Sequence, residues 1–177
     1  MLESLEGRAR LLGDDVNTDY IIASTRKRDT LDERVLKRYL LEAVDPSFAA
    51  SVRPDDLLVA GNNFGCGSAM EIAATVILAA GIRAVLAKSF SRTFYRNAIN
   101  NALFPIECDT SAIREGERLR IVVERGRTVV QLVERGLTVD GKPLSPLMAD
   151  VLSAGGLIPF VRKGGYGANA GPDVEQR

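Results

Sequence analysis

The spacing of apolar positions changes character along this chain, and each change predicts a different element. Leu57 to Ala60 form a continuous apolar run of strand length, and so does Arg83-Ala-Val-Leu-Ala87. Between them Ile72, Val76 and Ala79, with Thr75 and Ala80, recur at intervals of three and four, the spacing of a helix with one apolar face. Gly81 supplies its stop. A strand, a helix and a second strand over 57–87 make a right-handed crossover, which sets the two strands parallel. Upstream, 8–12 reads as an opening strand, 13–19 as a turn-rich stretch and Tyr20 to Ala23 as a short apolar run. Leu36, Tyr39, Leu40 and Ala43 predict a helix within 32–44, ended by Asp45-Pro46.

Downstream, 93–101 predicts a second helix and Ile106 to Cys108 a short run after Pro105. Residues 119–123 and 128–133 are β-branched runs separated by Gly126, the pattern of antiparallel strands. Residues 147–154 read as a closing helix stopped by Gly155-Gly156, with Leu157 to Phe160 following. Residues 1–163 therefore read as a single α/β domain. Residues 164–177, with four glycines, one proline and few apolar groups, read as a flexible tail.

The chemistry concentrates where the first crossover strand ends. Asn62 to Gly67 form a loop whose glycines permit unusual backbone angles, and Ser68 is expected to open the helix. Ser68 and Glu71 stand at the Ser-x-x-Glu spacing of a capping box. Free amides and the positive end of the dipole at such a terminus suit a carboxylate or phosphate. The plain alternative for Ser68 is an N-cap worth about 1 kcal/mol and no chemistry. Cys66 is equally a small loop residue or a thiol near a helix start. Gly65-x-Gly67 departs from a dinucleotide fingerprint, because the third glycine position falls at Met70 and Lys88 and Ser89 stand where an acidic residue belongs. A nucleotide reading therefore rests on the strand-loop-helix context alone. Arg26, Lys27 and Arg28 are either a solvated charged loop or a mobile clamp for an acidic ligand. Lys88, Arg92, Tyr95 and Arg96 either face the same cleft or cap a helix.

Composition narrows the chemistry further. The chain of 177 residues is 46% hydrophobic and carries 23 basic and 23 acidic residues, so no positive excess exists to neutralise a nucleic-acid backbone. Its longest apolar run, 72–82, is far shorter than the roughly 20 residues that span a bilayer. The amino-terminal segment carries Glu3 and Glu6 and lacks a secretory pattern, so the expected location is the cytoplasm. The absence of histidine excludes a histidine base, a Ser-His-Asp triad and a histidine-held metal. Two cysteines, Cys66 and Cys108, cannot by themselves ligate zinc or an iron-sulfur cluster, so the expected metal complement of this chain is none.

Four segments in order, Asn17-Thr-Asp-Tyr-Ile-Ile22, Gly61-Asn-Asn-Phe-Gly-Cys-Gly-Ser68, Ala87-Lys-Ser-Phe-Ser-Arg-Thr-Phe-Tyr-Arg-Asn-Ala-Ile-Asn-Asn101 and Ala154-Gly-Gly-Leu-Ile-Pro159, resemble the small subunit of 3-isopropylmalate dehydratase, a member of the aconitase superfamily. The similarity runs from about residue 8 to 163. It implies a swivelling β/β/α domain like the C-terminal domain of aconitase. It implies a hydro-lyase active only with a large partner subunit, which carries a 4Fe-4S cluster and uses its iron as the Lewis acid that holds the leaving hydroxyl. The reaction is a dehydration and rehydration that shifts a hydroxyl between adjacent carbons of a small dicarboxylic acid, 3-isopropylmalate to 2-isopropylmalate, in leucine biosynthesis. The resemblance makes Ser68 the catalytic base and places Gly65, Cys66, Gly67 and Ala69 in the substrate pocket.

This chain departs from the family pattern Gly-Cys-Gly-Ser-Ser-Arg-Glu-His, reading Gly65-Cys-Gly-Ser-Ala-Met-Glu-Ile72. Ala69 removes a hydroxyl and Met70 removes a guanidinium that would grip a substrate carboxylate, a loss of about 1.5 to 3 kcal/mol unless another cation replaces it. Arg26 and Arg28 are the expected replacements. The departure keeps two alternatives open: the small subunit of a dimethylmalate, citraconate or homoaconitate-type hydratase, or a non-catalytic binding subunit on the same scaffold.

Overall fold

Short apolar strands need cover on both faces, and the computed structural model, which describes residues 4–28, 30–124 and 127–165, supplies it from two separate cores. In chain order the elements are β1 (Leu5–Leu11), α1 (Thr18–Ile21), α2 (Glu33–Leu36), α3 (Phe48–Ser51), β2 (Leu57–Val59), α4 (Ile72–Ala79), β3 (Ala84–Ala87), α5 (Arg92–Asn100), β4 (Phe104–Glu107), β5 (Arg118–Glu124), β6 (Arg127–Leu132), β7 (Leu137–Gly141), α6 (Pro146–Ser153) and α7 (Leu157–Arg162). The seven strands form one mixed sheet in the order β4-β3-β2-β1-β5-β6-β7. Pairing is parallel from β4 to β1, with Ala9 opposite Leu57, Leu58 opposite Val85 and Leu86 opposite Ile106. From β1 through β5 and β6 to β7 it is antiparallel. This is the α/β architecture expected from the apolar runs.

Side chains alternate across a strand, so β2 and β3 feed both cores. Leu57, Val59, Ala84 and Leu86 join Ile106, Leu119, Ile121 and Val130 on one face, where α6 and α7 add Val151, Leu152 and Phe160. Leu58, Val85 and Ala87 face the other way, onto Ile77 of α4, Ile21 of α1 and Leu36 of α2. Helix α5 serves both layers, with Phe94 and Ala98 in one and Ile99 in the other. The outer strands also meet. A single bridge pairs Cys108 with Gly141, and the Lys142 amide donates to the Glu107 carbonyl at 2.7 Å. The sheet thereby curls until its edges touch beyond β4 and β7.

One local expectation is corrected, and two further stretches take a form that the sequence left open. The helix predicted within 32–44 is broken into α2, a 3-10 turn Lys37–Tyr39 and a run of turns. Leu41 takes φ +57° while its amide donates to the Ile21 carbonyl at 3.0 Å, so burial of Leu40 and Leu41 under α1 wins over helical continuity. The apolar run at Tyr20 falls partly in the short helix α1, capped by the Asn17 side chain on the Asp19 amide. Strand β7 carries exposed Thr138 and Asp140 and no apolar alternation, yet pairs with β6 over its whole length. Of the tail expected over 164–177, residues 166–177 lie outside the described residues.

Candidate active site

The loop between β2 and α4 leaves the C-terminal end of the parallel strands, the edge at which open α/β sheets present ligands. Phe64 is its anchor. The ring is fully buried and meets Phe94 edge-on at 5.0 Å and Phe90 edge-on at 5.9 Å. The Phe64 amide donates to the Ser89 carbonyl and its carbonyl accepts from the Ser91 amide, so the loop adds one bridge alongside the segment after β3. Ser91 caps α5 by accepting from the Phe94 amide, and its hydroxyl donates to the Gly65 carbonyl at 2.6 Å. On the other side the Gly65 amide donates to the Val16 carbonyl, and the Thr18 amide donates to the Cys66 carbonyl, both at 2.8 Å.

Two glycines make this path possible. Gly65 has φ +75°, and a Cβ there would lie 2.2 Å from the Phe94 ring. Gly67 has φ +95°, and a Cβ there would lie 2.4 Å from Asn17 Oδ1. Any side chain at either position would push the loop off its supports.

Ser68 does not open the helix. Gly67 turns the chain, the Met70 amide bonds back to the Ser68 carbonyl at 2.8 Å, and α4 begins only at Ile72. Glu71 occupies the N-cap without a side-chain cap bond, and its carboxylate instead accepts from Asn101 of the α5 terminus. The capping box is therefore absent, and with it the structural role that competed for Ser68. What holds the residue is its carbonyl, which accepts from the buried Thr18 hydroxyl at 3.0 Å. Ser68 is exposed, and its hydroxyl makes no hydrogen bond among the described residues. The amides of Gly67, Ser68 and Ala69 likewise make none among the described residues. A free hydroxyl flanked along the chain by unpaired N–H groups, four residues ahead of α4, can stabilise negative charge.

The structure brings Gly65, Cys66, Gly67, Ser68 and Ala69 together in one stretch, with Gly67 to Ala69 exposed. The basic loop is sorted differently from expectation. Arg26 bonds Glu42 through two nitrogens, at 2.7 and 2.9 Å, and its guanidinium lies 4.0 Å from the centre of the Tyr39 ring. Arg28 is exposed. Lys27 between them is the residue that reaches the loop, its ammonium resting on the Met70 sulfur. Lys88 lines a separate cavity of about 400 Å³ with Glu107, Cys108, Asp109, Asp140 and Lys142, none of them from the glycine loop. Tyr95 packs against Phe90, and burial, with Glu107 nearby, pushes its phenol up.

Among the described residues no three metal-ligating side chains gather. Burial, with Asp109 and Glu107 adding to it, pushes the Cys108 thiol up to about 12, far from a ready thiolate ligand. A cluster therefore does not fit the donors found among the described residues.

A sequence with this loop and sheet has clear relatives. The pattern of the aconitase C-terminal domain matches residues 16–111. The 3-isopropylmalate dehydratase small subunit of Halothermothrix orenii is 40% identical over 162 residues, covering 90% of this chain and 96% of that protein. The methanogen homoaconitase small subunit of Methanocaldococcus jannaschii is also 40% identical, covering 90% and 92%. The crystal structure of a 3-isopropylmalate dehydratase from Methanocaldococcus jannaschii superposes with a TM-score of 0.86 at 38% identity, covering 93% of this chain and 96% of that one. The chain belongs to the aconitase C-terminal domain family and, within it, to the 3-isopropylmalate dehydratase small-subunit family.

Proposed function

We propose that this chain is the small subunit of a two-subunit hydro-lyase that interconverts 3-isopropylmalate and 2-isopropylmalate by dehydration and rehydration. Ser68 acts as the base. One observation carries the reading: the Ser68 hydroxyl makes no hydrogen bond among the described residues, while its own carbonyl and the preceding residues 64–66 are held by neighbouring segments. Its proton lost, the serine oxygen draws on the unpaired amides of 67–69, which offset the cost of an alkoxide. That oxygen takes the proton from the substrate carbon next to the one bearing the hydroxyl and returns it to the neighbouring carbon on rehydration. Gly65, Cys66, Gly67 and Ala69 form the pocket wall, and the small side chain of Ala69 leaves the approach to Ser68 open.

Departure of the hydroxyl belongs to a large iron-sulfur subunit, the partner in a cytoplasmic heterodimer serving leucine biosynthesis. No helix among the described residues is long and apolar enough to cross a membrane, in keeping with that setting. Met70 favours a second reading within the same class, a small subunit for a related malate, since a relative named for homoaconitate is as similar as one named for isopropylmalate.

Co-expression with a large subunit and assay on a panel of malates and their unsaturated acids tests both. Turnover of 3-isopropylmalate supports the first reading, and preference for another malate the second. Ser68→Ala is expected to lower kcat by about 10²- to 10⁴-fold, the usual contribution of a positioned base. Equal turnover by the variant removes Ser68 from the chemistry, and no turnover by an intact assembly leaves a binding subunit.

A further inference from the structure

We propose that the Lys27 ammonium, held against the Met70 thioether, is the cation that receives a substrate carboxylate beside Ser68. The proposal rests on the reading of Ser68 given above. Lys27 is half-buried, and its only hydrogen-bond partner among the described residues is the Met70 sulfur. A thioether is a weak acceptor, so an ammonium resting on one keeps most of its capacity to donate. Its neighbours are placed otherwise. Arg26 is engaged by Glu42 and Tyr39, Arg34 by Asp32, and Arg28 lies out in solvent.

The position of the contact gives it meaning. Met70 closes a turn onto the Ser68 carbonyl, so the residue that Lys27 touches is only two positions along the chain from the serine and next to the unpaired amides of 67–69. Those amides bind anionic oxygen but carry no full charge, whereas a dicarboxylate brings two. Lys27 supplies the missing positive charge from a different part of the chain. The supporting side chain is also apolar, because Met70 packs on the core under α4. A cation backed by an apolar wall selects a dicarboxylate that carries an alkyl group, and a lysine, being a point charge, holds it without the fixed orientation of a guanidinium fork.

The test uses the assembly with the large subunit and, independently, the full chain alone. In the assembly, Lys27→Met is expected to raise KM for the preferred malate about ten- to hundredfold while kcat stays within about threefold. Lys27→Arg should stay near wild type, and adding Met70→Arg to Lys27→Met should recover most of the lost affinity. An unchanged KM in Lys27→Met overturns the proposal and leaves Ser68 untouched. For the chain alone, malate is titrated while the amide resonances of 67–70 are followed. Saturable shifts that need at least about tenfold more malate in Lys27→Met support the assignment even if no assembly turns over, in which case the dehydratase reading fails alone. Shifts indifferent to Lys27, or none in wild type, overturn it.

Discussion

The two ends of β2 carry charged groups, and the fold treats them in opposite ways. Just before the strand, Asp56 is 2% exposed and fully engaged: Arg8 grips it through two nitrogens at 2.7 and 3.0 Å, Arg10 approaches at 3.3 Å and the Arg53 amide donates at 3.0 Å. Arg10 in turn lies 4.6 Å from the centre of the Phe48 ring and bonds Glu115. Just after the strand, the loop 61–71 leaves a serine hydroxyl and three successive amides unpaired among the described residues, with a lysine resting on sulfur. Burying a charge is tolerable only when it is paired, so removing one partner at the closed end is costly. Groups left open cost little while exposed to water and keep their interactions for a ligand. Stability and chemistry are thus separated along about 15 residues of chain, and the contrast can be broken from either side.

The largest effect belongs to the open end. Ser68→Ala, expected to cost the assembly several powers of ten in turnover, should leave the melting curve of the chain nearly unmoved, below the shift expected for losing an N-cap worth about 1 kcal/mol. A loss of stability comparable to a cap would restore the structural role and weaken the catalytic one. Next comes the anchor of the open loop. Phe64→Ala empties a buried ring site between Phe90 and Phe94 and should cost about 3 to 5 kcal/mol in denaturant unfolding. If the cost is under 1 kcal/mol, the loop does not depend on its aromatic seat.

At the closed end, Asp56→Asn leaves two guanidinium groups short of a partner and should cost about 3 kcal/mol at pH 7. Burial pushes the Asp56 carboxyl up, but the bonds from Arg8, the Arg53 amide and Arg10 outweigh it and hold the group below the usual carboxylate range. A carboxyl depressed in the folded state stabilises fully above its unfolded value of about 3.9 and loses that contribution as pH falls through the folded value. The gap between wild type and Asp56→Asn in urea melts should therefore narrow below about pH 4, and a gap independent of pH would mean that charge is not its source. The smallest effect is at Ser91, whose hydroxyl both caps α5 and holds the Gly65 carbonyl. Ser91→Ala should cost about 1 to 2 kcal/mol. A value near zero would show that the loop does not depend on the Ser91 hydroxyl.

Much of this architecture was legible in the residues because its signals are local. The runs at 57–60 and 83–87 are apolar throughout because both faces are covered, and the helix between them announces itself by spacing. What escaped reading was set by distant partners. Ser68-x-x-Glu71 has the letters of a capping box, but Gly67 at φ +95° and the Thr18 bond to the Ser68 carbonyl delay the helix to Ile72. Leu41 interrupts a helical pattern to meet Ile21, and β7 is a strand only because β6 pairs with it. The choice of Arg26 and Arg28 as carboxylate cations followed from guanidinium chemistry. Nothing in the linear order reveals that Glu42 and Tyr39 occupy Arg26, or that Lys27 lies against Met70.

The two cysteines inhabit surroundings so unlike that the chain carries a selective handle beside its serine. Cys108 is 7% exposed with a thiol pushed up to about 12, which makes it inert to electrophiles at neutral pH. Cys66 is partly accessible and sits two positions before Ser68. A thiol-directed fluorophore or spin label thus reports from the loop itself, giving a view of docking by substrate or partner without an engineered site.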